Sequence, residues 1–236
     1  MAALIDITNL SFSYDPHRPI FESLDFVFHE GQKLGLVGKN GAGKSTLLQL
    51  IMGLIKSSSG AIEIFGQRRS TEAQFREARL QIGFVFQDAN DQLFCPTVGD
   101  DIAFGPLNMG LSREEADKIV DETLALIGME SFKDRASYSL SDGEKKIVAI
   151  GTALAMRPKL LILDEPTTCL DEDACDRIAQ VLLDCGLPYL IAAHDLSFLD
   201  RVAPDRARLI GGHIIYEPLA SRPDRNHDRL RVVGKD

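Results

Sequence analysis

A chain of 236 residues with 26 basic and 35 acidic side chains has a formal net charge of −9, which argues against a grip on the nucleic-acid backbone as its main activity. The length suffices for one large domain or two small ones around a sizeable core. No apolar run reaches the roughly 18 residues a membrane span needs, and "MAALIDITNL" lacks the basic-then-apolar layout of a signal peptide, so work at a membrane requires another subunit to hold the chain there. Cys95, Cys169, Cys175 and Cys185 are irregularly spaced, form no C-x-x-C pair and read as reduced thiols.

Residues 3 to 37 read as strands, with Phe21, Leu24, Phe26 and Phe28 marking an apolar face. The apolar run "LGLV" then meets "GKNGAGKST" at 38 to 46, followed by a helix to about Met52. "SSSG" (57 to 60) is a turn, "AIEIF" a strand, and "IGFVF" (82 to 86) a short strand of the kind buried in a parallel sheet. From 97 to 155 the pattern is helical, and within it a capping box of Ser112 and Glu115 opens a helix that stops at Gly128. "LLILD" (160 to 164) and "PYLIAA" (188 to 193) are buried strands that each run into a polar residue, and "ARLIGGHIIYE" is a hairpin turning at Gly211 and Gly212. From about Arg222 the chain is polar and basic, and is expected to be disordered. No internal repeat is visible. Alternating buried strands and helices predict an α/β fold with ligands at the carboxyl ends of the strands.

The polar strand ends carry the chemistry. Small residues in the 38–45 loop let successive backbone N–H groups converge on an anion, and the helix that follows adds its free N–H groups and dipole. Gly38, Gly43, Lys44 and Ser45 satisfy G-x-x-x-x-G-K-[ST], with Lys44 placed for terminal phosphates and Ser45 for magnesium. Asp164 and Glu165 end a buried strand, where unpaired charge is costly; Asp164 is placed to hold Mg²⁺ and Glu165 to polarise an attacking water, with a plain acidic turn closed by Pro166 as the alternative. His194 ends the next strand and falls near Glu165 if neighbouring strands end together, whereas Asp195 reads as a helix cap. Gln87 has a carbonyl oxygen for the magnesium shell but carries little signal alone. "LSDGEKK" opens a helix with Ser141 and Glu144 as a capping box.

Taken in order, the P-loop, Gln87, "LSDGE", "LLILDEP" with "LD" at 170 and 171, and His194 resemble the ATP-binding subunit of an ABC transporter over nearly the whole chain. The resemblance implies an α/β P-loop NTPase core with an antiparallel β subdomain and a helical signature subdomain: an ATPase domain over 1–221, its helical subdomain at about 97–155, and a tail over 222–236. It implies ATP and Mg²⁺ as cofactors. Tyr14 would stack on adenine; Asn40, Gly41 and Thr46 would join Gly38, Gly43, Lys44 and Ser45 around the phosphates. Ser45, Gln87 and Asp164 would form the metal shell, with Glu165 as base and His194 as switch. Ser141 and Gly143 would face the nucleotide of a second ATPase subunit, like or unlike this one, in a head-to-tail dimer, with Asp171 in the loop crossing between sites.

Where the family usually has "LSGGQ", this chain has Asp142 and Glu144. Both acids complement the helix dipole but should repel a partner's γ-phosphate unless Lys145 and Lys146 offset them, so weak ATP-driven dimerisation is expected. The segment "QDANDQLFCPTVGDDIAFGPLNMGLS" resembles energy-coupling-factor importers, which makes Leu93, Phe94 and Val98 contact candidates for an integral membrane coupling subunit, although Leu93 and Phe94 could equally fold into their own core. "GEKKIVAIGTALAMRPKLLILDEPT" looks most like the cobalt or nickel uptake branch, with a biotin or other vitamin importer as the competitor. A substrate-binding membrane subunit and a peripheral place on the cytoplasmic face of the membrane are implied in turn. DNA-repair and chromosome-organising relatives would show a long heptad insertion, which this chain does not have.

Overall fold

The computed structural model describes residues 2–217; the expected tail from Arg222 lies outside the described residues. Strands β1 (Ala3–Asp15) and β2 (Arg18–His29) form a long antiparallel pair with Phe21, Leu24, Phe26 and Phe28 all buried. The odd step from Phe21 to Leu24 is absorbed by a bulge, since Phe12 to Leu10 on the facing strand spans one residue fewer and Ser23 takes φ 56. With β4 (Ser59–Ile64) and β5 (Gln67–Arg69) they complete a four-stranded sheet in the order β2-β1-β4-β5.

The larger sheet is built from β3 (Lys33–Val37), β6 (Ile82–Val85), β7 (Leu160–Asp164), β8 (Tyr189–Ala192), β9 (Asp205–Ile210) and β10 (His213–Glu217), in the order β10-β9-β3-β8-β7-β6. All neighbours are parallel except the hairpin β9–β10, whose two-residue turn is Gly211 and Gly212 at φ 56 and 79, the positive values a tight hairpin needs. Strand alternation feeds two cores: Leu160 and Ile162 of β7 point toward the small sheet and α1 (Lys44–Ile51), while Leu161 and Leu163 point to the opposite face. Each such fully buried aliphatic side chain contributes about 1.5–3 kcal/mol.

That opposite face is covered by α3 (Val98–Asn108), α4 (Arg113–Leu126), α5 (Asp142–Ala155), α6 (Glu172–Asp184) and α7 (Leu196–Val202); α2 (Glu72–Arg79) lies near the small sheet's edge. β5, α2 and α6 were not anticipated from the sequence, although Ala174, Ile178, Val181 and Leu182 line up on the buried side of α6 at helical spacing. The capping boxes at Ser112–Glu115 and Ser141–Glu144 form as expected, and Asp195 caps α7 through the N–H groups of Ser197 and Phe198. Among the described residues no helix is long and apolar enough to cross a membrane.

Candidate functional site

Register brings the site together. Leu36 of β3 lies opposite Ala192 of β8, Ala192 opposite Asp164 of β7, and Leu163 opposite Val85 of β6, so four parallel strands end at nearly one level. Residues just beyond those ends surround a cavity of about 450 Å³. Lys44, Ser45, Gln87, Glu165 and His194 line it, as do Asn40, Gly41, Gly43 and Thr46 from the loop and the first turn of α1. Gly43, preceding α1, has φ 101, and a Cβ there would sit 2.7 Å from the Ile20 side chain; both facts require glycine. Gly38 stands behind the loop and contributes its carbonyl, which accepts from Lys44 Nζ at 3.0 Å.

Three charged groups are buried here: Lys44, Asp164 and Glu165 are each less than 10 % exposed. Burial of this kind is tolerated only with partners. Lys44 Nζ is 3.1 Å from Glu165 Oε1, His194 Nδ1 is 2.7 Å from Glu165 Oε2, and Thr168 Oγ1 donates to the same oxygen at 3.3 Å. A carboxylate only accepts, so the His194 contact puts a ring proton on Nδ1. Glu165 sits at φ 46, in the left-handed region, with its N–H held by the Ala192 carbonyl at 2.7 Å; such a backbone costs about 1–3 kcal/mol and persists where surroundings over-determine it.

Asp164 follows Leu160 and Ile162 in parity, so its carboxylate faces α1, where Ser45 Oγ donates to Oδ1 at 3.0 Å. Desolvation raises its pKa, opposed by the Ser45 hydrogen bond and the nearby lysines. A buried carboxylate beside a hydroxyl offers hard oxygens to a cation that takes its remaining ligands from phosphate and water. Among the described residues no group of three or more His, Cys, Asp or Glu is arranged to hold a metal alone. At the cavity mouth Tyr14 is 63 % exposed, with its hydroxyl donating to Gln49 Oε1 at 3.3 Å and its ring edge-on to Phe12; its exposed ring is free to accept a stacked planar group.

Ser141 and Gly143 lie outside this cavity. Ser141 caps α5, accepting the Glu144 N–H at 3.3 Å, and a Cβ on Gly143 would stand 2.7 Å from Ala174, so close packing of α5 on α6 also requires that glycine. The charge expectation needs correcting for Glu144. Its Oε2 takes the Ser141 N–H at 2.8 Å and Oε1 meets Arg135 at 3.3 Å; the backbone bond, helped by Arg135, holds its pKa below the ordinary 4.5. Asp142 alone remains as an exposed acid of this turn. Lys145 bonds the neutral Asn90 Oδ1 and so keeps its charge beside this turn, while Lys146 is buried against backbone carbonyls. Asp171, expected in a crossing loop, caps α6 through the Ala174 N–H.

The surface candidates separate sharply. Phe94 is 64 % exposed and packs edge-on against half-exposed Phe104, whereas Leu93 is partly buried against the core. Val98 is fully buried at the first turn of α3, so it is not part of an outer contact surface: the Thr97 cap turns the chain inward there. Sequence reasoning missed Asp101, whose buried carboxylate accepts the N–H groups of Phe94 and Cys95 and the Ser137 hydroxyl at 2.6–3.0 Å and so fixes the turn that displays Phe94. It also missed Thr168 on Glu165; neither residue carries a pattern signal, since each contact depends on how a turn folds back and not on a repeating spacing. All four cysteines are free, and desolvation, aided by Asp101, pushes the Cys95 thiol up to about 11.

Comparison with known proteins agrees with this geometry. Residues 21–168 match the family model described as ABC transporter. The chain is 38 % identical over 218 residues, 91 % of this chain and 70 % of the relative, to the energy-coupling factor transporter ATP-binding protein EcfA of Methanothermobacter thermautotrophicus. It is 42 % identical over 84 % of its length to a putative ABC transporter ATP-binding protein of Nitratidesulfovibrio vulgaris, covering 73 % of that protein. Among solved structures, CbiO1 of Clostridium perfringens, part of the ABC transporter complex CbiONQ, superposes with a TM-score of 0.83 at 34 % identity, covering 91 % of this chain and 88 % of CbiO1. The ATP-binding cassette MJ0796, in a dimeric post-hydrolysis state with ADP and Pi, gives 0.81 at 25 % identity, covering 91 % of this chain and 98 % of that one.

Proposed function

Because the chain belongs to the ABC transporter family and is an ATPase of the energy-coupling factor type, we propose that it powers an importer of cobalt or nickel ions. The observation that carries the hydrolytic role is the convergence of Lys44, Ser45, Glu165 and His194 on one cavity at the ends of β3, β7 and β8, with Asp164 bonded to Ser45 beside it. The loop N–H groups and Lys44 bind the phosphates, and Tyr14 stacks on the base. Ser45, Asp164 and Gln87 would hold Mg²⁺, which would supply positive charge to offset that of the phosphates.

Phosphate competes with Glu165 for the Lys44 ammonium. Once Lys44 turns to phosphate, Glu165 keeps His194 and Thr168 as partners and accepts a proton from the attacking water. His194 holds that carboxylate in place and links it to whatever contacts the γ-phosphate.

The same reading makes 97–155 the helical subdomain of an ATPase domain over 1–221. It pairs the chain head-to-tail with a second copy of itself, Ser141 and Gly143 meeting the partner's nucleotide; a dimeric cassette as structural neighbour supports this. Phe94, with Leu93 behind it, contacts an integral membrane coupling subunit, which holds the chain peripherally on the cytoplasmic face beside a substrate-binding membrane subunit. No role on nucleic acid is proposed. The cargo reading rests on likeness of the signature and Asp164 segments to the cobalt and nickel branch. Uptake of radiolabelled cobalt, nickel and biotin by cells carrying wild-type or Glu165→Gln chain tests it: metal uptake lost in the variant supports it, and biotin uptake lost instead replaces the cargo.

A further inference from the structure

The turn that carries Gln87 hangs on α5, nearly 60 residues later, as much as on its own strand. Lys146, 4 % exposed, donates from Nζ to the carbonyls of Phe86 at 3.0 Å and Gln87 at 2.6 Å. Lys145 Nζ reaches Asn90 Oδ1 at 2.9 Å. Gln92 closes the segment, its Nε2 donating to the Ala149 carbonyl and Thr152 Oγ1, both at 2.8 Å, while its Oε1 accepts the Phe86 N–H at 3.2 Å. The start, middle and end of 86–92 are thus tied to one face of α5. A buried ammonium is costly unless its protons are met, and the two carbonyls are what meet them here. Burial pushes its pKa down, opposed by the charges of Asp88 and Asp164.

We propose that Lys146 is a positioning residue for the nucleotide site: by fixing the peptide of Gln87 it sets where that side chain enters the cavity shared with Lys44, Ser45 and Glu165. The role follows from geometry. Ser141 caps the same helix, so a displacement of the α5 N-terminus reaches Gln87 through one side chain. The inference rests on the reading of Gln87 as a magnesium-shell residue.

Lys146→Met, Lys146→Arg, Gln87→Ala and the double variant Lys146→Met with Gln87→Ala test it through two readouts independent of turnover. Hydrogen exchange of 86–92 in the protein without nucleotide should quicken about tenfold in Lys146→Met, with β6 and α5 unchanged. Calorimetric Kd for a non-hydrolysable ATP analogue, in magnesium and in EDTA, gives the tightening due to metal. That tightening should fall about tenfold in Lys146→Met and in Gln87→Ala, no further in the double variant, and should largely return in Lys146→Arg. If Lys146→Met folds poorly, Lys146→Gln, which retains a donor, should show the same loss at smaller size. A reduced tightening in Gln87→Ala with wild-type behaviour in Lys146→Met, or additive losses in the double variant, overturns the positioning role alone. Wild-type tightening in Gln87→Ala overturns the magnesium reading of Gln87 and this inference with it.

Discussion

The strand-end site and the turn at 140–146 are both rich in polar groups, yet they are satisfied in opposite ways. At the strand ends Lys44, Asp164 and Glu165 are buried and bonded among three separate segments, which is a costly arrangement unless a ligand uses it. At 140–146 the Ser141 hydroxyl and the Glu144 carboxylate satisfy each other's backbone in a local capping box, and Asp142 points to solvent. In the proposed function the first region holds most of a reaction centre within one chain, and the second is a helix start completed by the head-to-tail partner.

Removing the proposed base, Glu165, should separate the two regions most. Glu165→Gln should lower the ATP hydrolysis rate by about 10²–10⁴ while leaving ATP affinity nearly unchanged; a fall below tenfold would remove Glu165 from that role. Lys44→Ala should follow, because it removes the ammonium that pairs with buried Glu165. Breaking a buried pair costs about 3–5 kcal/mol, so its thermal midpoint should drop clearly along with ATP binding, and an unchanged midpoint would show that the pair is not structural.

At the other region effects are smaller. Ser141→Ala should cost about 1 kcal/mol from the lost cap, visible in denaturant unfolding, and should weaken ATP-driven dimerisation more than it weakens ATP binding by the single chain. Asp142→Gly should tighten that dimer by about tenfold, since an exposed like charge near phosphate is screened by water and salt; sedimentation with ATP at low salt would show it, and no gain would leave the charge without consequence. Acid gives the mildest effect. Glu144 has a folded pKa below its ordinary 4.5, so its contribution is present above that value and lost as pH falls through the folded one. Glu144→Gln should therefore flatten the loss of thermal midpoint between pH 5 and pH 3 (roughly the range of carboxylate titration).

Much of the strand-end site was legible because its chemistry is written in contiguous motifs: "GKNGAGKST" and "LLILDEP" each place a backbone turn and a charged residue within a few positions. His194 followed from strand ends falling at one level, which the register of Leu36, Ala192 and Asp164 shows. Residues whose partners are set by the folding of a turn, or lie far along the chain, were not legible. Thr168, Asp101 and Lys146 each look ordinary locally and gain meaning only from partners such as Glu165, Phe94 and Gln87. Val98 was misplaced because it entered through the resemblance of its segment to importers, while the Thr97 cap turns it into the core. The missed α2 is largely polar with only Ala78 buried, so periodicity had little to report there.

In the proposed function two copies of this chain close on ATP, each giving its α5 turn to the strand-end site of the other. The mass of purified Glu165→Gln in solution, with and without Mg-ATP, tests it most directly, since blocked hydrolysis traps the closed form. A dimer that appears with ATP and disperses when ATP is removed is the predicted result. A chain that binds ATP and remains a monomer at every concentration examined would contradict it.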